Sequence, residues 1–455
     1  GRKPQQKQRP LRNSEHLHCD GHDCCRHPGL LRSWGNFSQG SIHVAPPSGK
    51  IMAEVLLSIK GAEVRRGMGI VLSSFDLQVN SGDIVVIHGA NGSGKSTVIE
   101  TAARLLPMEK GQVSHHQHLT LHSDGRRKKP IKPFGLTLQS NGVIGSETIE
   151  NHLRTVAALA GKEVDLASLL ESYDIQHRTQ DIIAHLSGGQ QRKVAVLAGL
   201  LPAMVCDEPT LVLLDEPDAG LDDAAIKTLT QHIASLASAG HGLLIASHNP
   251  SLREIGTKLH NLEAEKTGVV NAAEPWKTRG QPKQTRNILF RTGHRYASST
   301  HAGLARNGLA ALMVFGCMLA LGDPSILPSG LWLTGGILAP AFASGLAGDP
   351  TSHLMQEARA NDWWRSQSQR TPSALGLGVL IGGVVTAGAC YVCIGEIEIM
   401  LVLIGAIMCE GTMGGVRLLH ASTQRLARPN AVFIRLLLPA FILPWALIVS
   451  WAAGL

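Results

Sequence analysis

The fold of this chain is decided by residues 84–97, which read IVVIHGANGSGKST. A short apolar, β-branched run ends at Gly89, and a glycine-rich turn leads into a helical pattern that begins near Val98. This order of strand, turn and helix, with the spacing G-x-x-x-x-G-K-S, is typical of a loop that binds phosphate groups. Gly92 and Gly94 let backbone N–H groups approach an anion where side chains would obstruct them. We therefore predict a nucleoside triphosphate site.

The side chains of this turn suit a triphosphate and its magnesium ion. The Lys95 ammonium offers positive charge to the phosphates, the Ser96 hydroxyl is a ligand for Mg²⁺, and the following helix directs its positive N-terminus at the anion. The predicted nucleotide-binding residues are Gly89, Asn91, Gly92, Ser93, Gly94, Lys95, Ser96 and Thr97.

Composition limits the class of protein. The length of 455 residues allows two or three domains, and the hydrophobic share of 44% is high for a soluble ATPase. The net charge is +7, with the excess in the first fifty residues and beside apolar segments near the C-terminus. This distribution favours anionic lipid over nucleic acid as a partner. Several of the eight cysteines lie in apolar runs, which favours buried free thiols over a disulfide framework.

Four further segments carry polar residues at places where a nucleotide site needs them. Gln139 ends a short strand, and Ser187 in LSGGQQR (186–192) is expected to cap a helix. Asp215 and Glu216 end the buried strand LVLLDEP (211–217), and His248 ends LLIASH (243–248). A similar acidic segment at 206–209 lacks a buried strand before it, so we interpret it as a loop. Alone, each segment would be structural, but together they indicate an ATPase.

On these motifs, residues 54 to about 262 resemble the nucleotide-binding domain of ABC transporters. The resemblance implies an α/β P-loop NTPase fold, ATP as substrate and Mg²⁺ as cofactor. It implies catalytic roles for Glu216, His248 and Gln139, magnesium contacts for Ser96, Gln139 and Asp215, a D-loop at 219–222, and a signature motif at Ser187, Gly188, Gly189 and Gln190. In this fold the signature acts on the nucleotide of a second copy, so we expect a homodimer. The turn 64–68 lacks the aromatic residue that stacks on adenine in many members, so affinity is expected to rest mainly on the phosphates.

The C-terminal part predicts an all-α transmembrane domain of about five helices. Apolar runs occupy 307–322, 329–347, 374–394, 397–416 and 431–453. We therefore expect a disordered extension at 1–52, the nucleotide-binding domain at 53–263, a basic connector at 264–306 and the membrane domain at 307–455. The His- and Cys-rich segment within the extension leaves a metal or heme site conceivable, although its spacing matches no zinc module.

The positive charges predict the orientation of these spans. The connector, the loop 348–373 and the last loop carry arginines, whereas the loop 323–328 and the one with Glu396 and Glu398 carry no Lys or Arg. The positive-inside rule then places the ATPase in the cytoplasm and the C-terminus outside a plasma or inner membrane. Glu410 is either functional or near the cytoplasmic interface. The pair Trp363–Trp364 is either an interfacial anchor or part of a coupling helix against the ATPase.

Residues 81–92 resemble the ATPase subunit of the cytochrome c maturation heme exporter, and the membrane part resembles its partner subunit more loosely. The resemblance implies heme export, with heme and heme-handling maturation proteins as partners, although that partner subunit has six spans. Since His301, His353 and His420 fall in predicted loops, another ABC-2-type exporter of lipid, glycan or drug stays open. A non-transport ABC ATPase in translation or repair is the third hypothesis. A single phosphate loop, with positive charges flanking apolar spans, argues against it and against a nucleic-acid partner.

Overall fold

The computed structural model describes residues 54–262, 264–267, 273–321, 330–351, 354–355, 359–368, 370–423 and 438–454. The predicted extension 1–52, the loop 323–328, His353 and residues 431–437 of the last predicted span lie outside the described residues.

The strands and helices follow the chain in an α/β order first and an all-α order afterwards. The strands are β1 Val55–Arg66, β2 Gly69–Asn80, β3 Ile84–His88, β4 Lys110–His115, β5 His118–His122, β6 Gly135–Thr137, β7 Lys162–Glu163, β8 Leu211–Asp215, β9 Gly242–Ala246, β10 Lys258–Asn261, β11 Ala264–Thr267 and β12 Gln281–Pro282. The helices are α1 Lys95–Ala102, α2 Ile149–Leu159, α3 Ala167–Glu171, α4 Gly188–Val205, α5 Asp223–Ser238, α6 Pro250–Glu254, α7 Ile288–Ser299, α8 His301–Leu321, α9 Leu331–Leu346, α10 Ala360–Ser368, α11 Leu377–Ile394, α12 Ile399–Thr423 and α13 Ile442–Ala452.

Two larger sheets build the nucleotide-binding part, and a small third sheet pairs β7 with β12. An antiparallel sheet has the order β2-β1-β4-β5, and a six-stranded sheet has the order β11-β10-β3-β9-β8-β6. Strands β10, β3, β9, β8 and β6 run parallel to one another. All five residues of β8 and of β9 are buried, which is why both strands are almost wholly apolar. Because parallel strands end at the same edge, the segments after β3, β6, β8 and β9 lie together there.

Five of the C-terminal helices are largely apolar: α8, α9, α11, α12 and α13. Helices α8, α11 and α12 are long and apolar enough to cross a membrane, while α9 and α13 are shorter. Two of the predicted boundaries are shifted: α8 already begins at His301, and α12 continues to Thr423. His301 and His420, which the sequence placed in loops, therefore lie in helices. Small residues allow close packing, since a Cβ added at Gly382 would lie 2.5 Å from the Cβ of Cys409 on α12.

Buried and partly buried polar contacts join these apolar helices. Asn307 on α8 donates from Nδ2 to the carbonyl oxygens of Ser344 and Gly348, at 2.8 and 3.0 Å. The Glu410 carboxylate on α12 accepts from the backbone N–H of Gly378, at 2.9 Å, in the first turn of α11. Glu410 thus caps a helix start, because the first N–H groups of a helix have no partner within it.

Candidate nucleotide-binding site

The turn between β3 and α1 adopts the conformation that its glycines permit. Gly92 and Gly94 have φ of 85° and 103°, in the left-handed region. A Cβ at Gly94 would also lie 2.8 Å from Cγ1 of Val71. The buried Lys95 side chain folds over the turn, and its Nζ donates to the carbonyl oxygens of Gly89 and Ala90, each at 2.9 Å. The ammonium and the start of α1 therefore place positive charge at the same point.

A cavity of about 440 Å³ opens over this turn. Its lining residues are Arg66, Val71, Asn91, Gly92, Gly94, Lys95, Ser96, Thr97, Gln139 and Glu216. Six of the eight predicted nucleotide-binding residues are among them, while Gly89 and Ser93 complete the turn. The structure thus brings residues of the phosphate turn, Gln139 and Glu216 to one cavity, together with Arg66 and Val71.

The Asp215 carboxylate has the environment that a divalent cation requires. Its Oδ1 accepts from the Ser96 hydroxyl at 2.9 Å, whereas Oδ2 is buried and has no hydrogen-bond partner among the described residues. Burial raises the pKa of Asp215 to about 6; the Ser96 hydrogen bond opposes this rise, and the charges of Glu216 and Glu100 add to it. A buried carboxylate oxygen without a donor, beside a hydroxyl, fits Mg²⁺, which prefers oxygen ligands.

Glu216 is held in an uncommon backbone conformation. Its φ is 47°, which is rare for a residue with a side chain and is found at functional sites when the surrounding structure enforces it. The backbone N–H of Glu216 donates to the Ala246 carbonyl at 2.8 Å, and Gln139 Nε2 donates to Glu216 Oε2 at 3.1 Å. The predicted base and the predicted Q-loop residue are therefore in direct contact. His248 is exposed after the end of β9 and is not among the described residues that line the cavity.

The signature segment starts α4 as predicted but lies away from the cavity. Ser187 Oγ accepts from the Gln190 backbone N–H at 3.3 Å, and Gln190 Oε1 accepts from the Ser187 N–H at 3.1 Å, a complete capping box. Ser187 and Gly188 are exposed. A Cβ at Gly189 would lie 2.8 Å from the carbonyl oxygen of Gly220, so the signature packs against the predicted D-loop.

Sequence reasoning missed Arg192, which fastens two parts of the site together. Its buried guanidinium donates to the Leu138 carbonyl at 2.8 Å and to Asn141 Oδ1 at 2.9 Å. It also donates to the carbonyl oxygens of Asp215 and Glu216, at 2.6 and 2.5 Å. Burial lowers the pKa of Arg192, and the neighbouring acidic residues oppose this effect. Arg192 lies in the quoted signature stretch, but only the fold shows which carbonyls it reaches.

A second missed contact joins the segments that follow β8 and β9. The Ser247 hydroxyl donates to Asp218 Oδ1 at 2.6 Å and accepts from the Asn249 backbone N–H at 2.9 Å. Ser247 precedes His248, and Asp218 follows Glu216 by two positions. The hydrogen bond thus ties the predicted switch histidine to the predicted catalytic strand end.

Cys390 and Cys393 form a C-x-x-C spacing on α11, which the sequence prediction of buried free thiols did not take into account. Cys390 is buried in the apolar cluster of the C-terminal helices, and Cys393 is partly buried against the same cluster. The described residues include no group of three or more His, Cys, Asp or Glu suited to a metal ion. The pair is therefore part of the helix packing.

The helix α10 lies against the nucleotide-binding part on both sides of Gln139. Trp363 is 4% exposed, and its Nε1 donates to the Leu136 carbonyl at 3.1 Å. Its ring also lies 3.2 Å from the position of a Cβ at Gly142. Gln367 Nε2 donates to the Phe134 carbonyl at 3.0 Å. Of the two interpretations of the tryptophan pair, these contacts favour a helix docked on the ATPase.

Helix α7 makes a second attachment. Arg295 donates from Nε and Nη2 to the two oxygens of Glu147, at 2.9 and 2.8 Å, and from Nη2 to the Thr155 hydroxyl at 2.7 Å. Burial raises the pKa of Glu147, and Arg295 opposes the rise. Tyr296 is buried, and its ring makes a T-shaped contact with the Trp364 ring. Two helices of the C-terminal part thus hold the nucleotide-binding part.

Comparisons with known proteins agree with this geometry. The ABC transporter family profile matches residues 72–219. Over 209 residues the chain is 31% identical to the cytochrome c biogenesis ATP-binding export protein CcmA of Gluconobacter oxydans. This match covers 46% of this chain and 87% of that protein. It is 29% identical to the zinc import ATP-binding protein ZnuC of Brucella suis, covering 43% of this chain and 60% of that protein. It is also 29% identical to the macrolide export ATP-binding/permease protein MacB of Shigella flexneri, and this match covers 40% of this chain and 28% of that protein.

The solved structures that this chain matches include ABC cassettes. An ATP-binding subunit of an ABC transporter is 26% identical and covers 47% of this chain and 90% of its own, with a TM-score of 0.39. A dimeric bacterial ABC transporter cassette is 21% identical and covers 47% and 98%, with a TM-score of 0.41.

Proposed function

Because the chain belongs to the ABC transporter family, we propose that it is an exporter whose ATPase and membrane domains share one polypeptide. Its ABC ATPase domain hydrolyses ATP, and its apolar C-terminal helices associate with a membrane. The observation that carries the proposal is the contact of Trp363 with the Leu136 carbonyl, three residues before Gln139. A movement of α10 therefore acts on the strand end that holds Gln139 against Glu216.

The residues of the cavity have complementary tasks in hydrolysis. Lys95 and the N–H groups of the turn hold the phosphates, and Glu216 accepts the proton of the attacking water. Asp215, Ser96 and Gln139 would hold Mg²⁺, which offsets charge on the phosphates when it is bound. The strained backbone of Glu216 and its hydrogen bond to Gln139 keep the carboxylate directed at the cavity.

The working unit in this proposal is a head-to-tail dimer. The signature residues Ser187 and Gly188 are exposed and are not among the residues that line their own cavity, which leaves them for the nucleotide of a second copy. The proposed domains are 53–263 for the ATPase, 264–306 for the connector and 307–455 for a multi-pass membrane domain. The ATPase lies on the cytoplasmic side of a plasma or inner membrane.

Heme, delivered for cytochrome c maturation, is the proposed cargo. The similarity to CcmA supports it, because that relative is named for cytochrome c biogenesis and export and is covered over 87% of its length. MacB is named for macrolide export, and it favours a drug-type cargo as the second candidate.

Transport by the full-length chain in proteoliposomes tests the cargo. Heme is offered on the side of the ATPase, and its ATP-dependent appearance on the other side is followed by absorbance, with Glu216→Gln as the inactive control. ATP-dependent movement of heme that this variant loses is the expected result. ATPase stimulation by a macrolide but not by heme would reassign the cargo, and release of the chain from membranes by carbonate would overturn the transporter itself.

A further inference from the structure

One buried carboxylate joins the nucleotide cavity to the membrane part. Glu100 on α1 is 3% exposed, and each of its oxygens pairs with a different arginine. Arg66 Nη2 bonds to Oε2, and Arg359 Nη1 bonds to Oε1. Arg66 is the last residue of β1, whereas Arg359 directly precedes α10.

Arg66 lines the nucleotide cavity without belonging to the phosphate turn. It lines the cavity together with Val71, Lys95, other residues of the turn, Gln139 and Glu216. Since the turn takes the phosphates, and Gln139 and Glu216 are assigned to the metal and the attacking water, Arg66 is left for the base and ribose. A guanidinium is planar and stacks on the face of a base, and its N–H groups remain free for hydrogen bonds in its plane.

Arg359 forms hydrogen bonds with two acidic residues, Glu100 and Asp362. In addition to Glu100, it donates from Nε to Asp362 Oδ2 at 2.9 Å, and its Nη2 lies 2.7 Å from the same oxygen. Two cations that share one carboxylate repel each other. When the nucleotide draws Arg66 away from Glu100, the carboxylate becomes fully available to Arg359. The inner loop, which is the predicted loop 348–373 that contains Arg359, is then held more firmly on α1.

We propose that Arg66 is a nucleotide-contacting residue positioned by Glu100, and that nucleotide contact at Arg66 and docking of Arg359 on Glu100 strengthen each other. This deepens the function proposed above and rests on it only for the role of the inner loop. Coupling between two sites is reciprocal, so loss of Arg359 must weaken nucleotide binding although Arg359 does not line the cavity.

The test measures binding of a non-hydrolysable ATP analogue and of inorganic triphosphate to the full-length chain. We expect Arg66→Met to weaken binding of the analogue roughly tenfold and of triphosphate less than about twofold. Arg65→Met is the matched control, because Arg65 is the exposed neighbour and pairs with Glu109 instead. Equal effects of the two substitutions would remove Arg66 from the nucleotide site.

The coupling is tested by a double-mutant cycle. Arg359→Met is expected to weaken analogue binding roughly fivefold in the native chain and to have no effect when Arg66→Met is already present. Arg370→Met, an exposed arginine of the same loop, is the control. Additive losses would show that Glu100 has only a structural role. Because binding is read without transport, a failed transport assay leaves this result standing.

Discussion

The phosphate turn and the helix α10 differ in how far apart along the chain their contacts lie. Lys95 bonds to carbonyl groups five and six residues away. Trp363, in contrast, donates to a carbonyl 227 residues away. The first geometry follows from glycine positions and a helix start, which are local, whereas the second exists only when two domains dock. In the function proposed above, short motifs therefore set the chemistry, and long-range contacts set its coupling to the membrane part.

The largest expected effect tests the local half of this comparison. Glu216→Gln keeps the shape of the side chain but removes the base, so ATP turnover should fall by about 10²- to 10⁴-fold while ATP stays bound. Phosphate release and nucleotide retention by the purified chain measure the two effects. Asp223→Asn, in the exposed first turn of α5, is the control. Hydrolysis at the native rate in Glu216→Gln would show that another group accepts the proton.

The long-range half is tested by Trp363→Ala. Loss of this buried side chain and its hydrogen bond should destabilise the docked arrangement by about 3–5 kcal/mol. ATP binding should persist, but ATPase activity should no longer respond to cargo. Trp332→Ala is the control, because Trp332 is 69% exposed on the apolar helix α9. If Trp363→Ala retains cargo-stimulated hydrolysis, coupling runs through other contacts.

The second attachment gives a pH-dependent prediction. Arg295→Met leaves the Glu147 carboxylate buried without its partner, which costs roughly 3–5 kcal/mol at neutral pH. Burial already raises the pKa of Glu147, and loss of Arg295 raises it further. When the pKa of a carboxyl group is higher in the folded state than in the unfolded state, its protonation stabilises the fold at low pH. This stabilisation is lost as the pH rises through the folded-state pKa, so the stability of the variant falls as pH rises.

Melting temperatures at about pH 5 and about pH 8 check this sign. The deficit of Arg295→Met relative to the native chain should be larger at the higher pH, and adding Glu147→Gln should recover part of it. A deficit that does not change with pH would show that Glu147 is solvated in the variant.

The division between local and long-range contacts also explains which features of the protein can be predicted from its sequence. The fold class, the phosphate turn and the capping role of Ser187 follow from spacing and local propensity, and the structure bears them out. The contacts of Arg192, Asp218 and Arg359 do not, because each depends on which backbone groups another segment brings within reach. Helix ends in the apolar part are also poorly predicted, since α12 continues past residue 416 with polar side chains that hydropathy assigns to a loop.

The smallest expected effect concerns competition between a proton and Mg²⁺ at Asp215, whose pKa is about 6. The carboxylate is nearly all ionised at pH 7.5 but only about a quarter ionised at pH 5.5, so affinity for the metal should fall about fourfold. Equilibrium binding of Mn²⁺ as a probe, followed by electron paramagnetic resonance without nucleotide, measures this. Glu216→Gln removes a negative charge that helps raise the Asp215 pKa, so this pKa should be lower in the variant. The variant should therefore lose its affinity for Mn²⁺ at a lower pH than the native chain does. Equal affinity at both pH values in the native chain would mean that Asp215 is not a ligand of the metal.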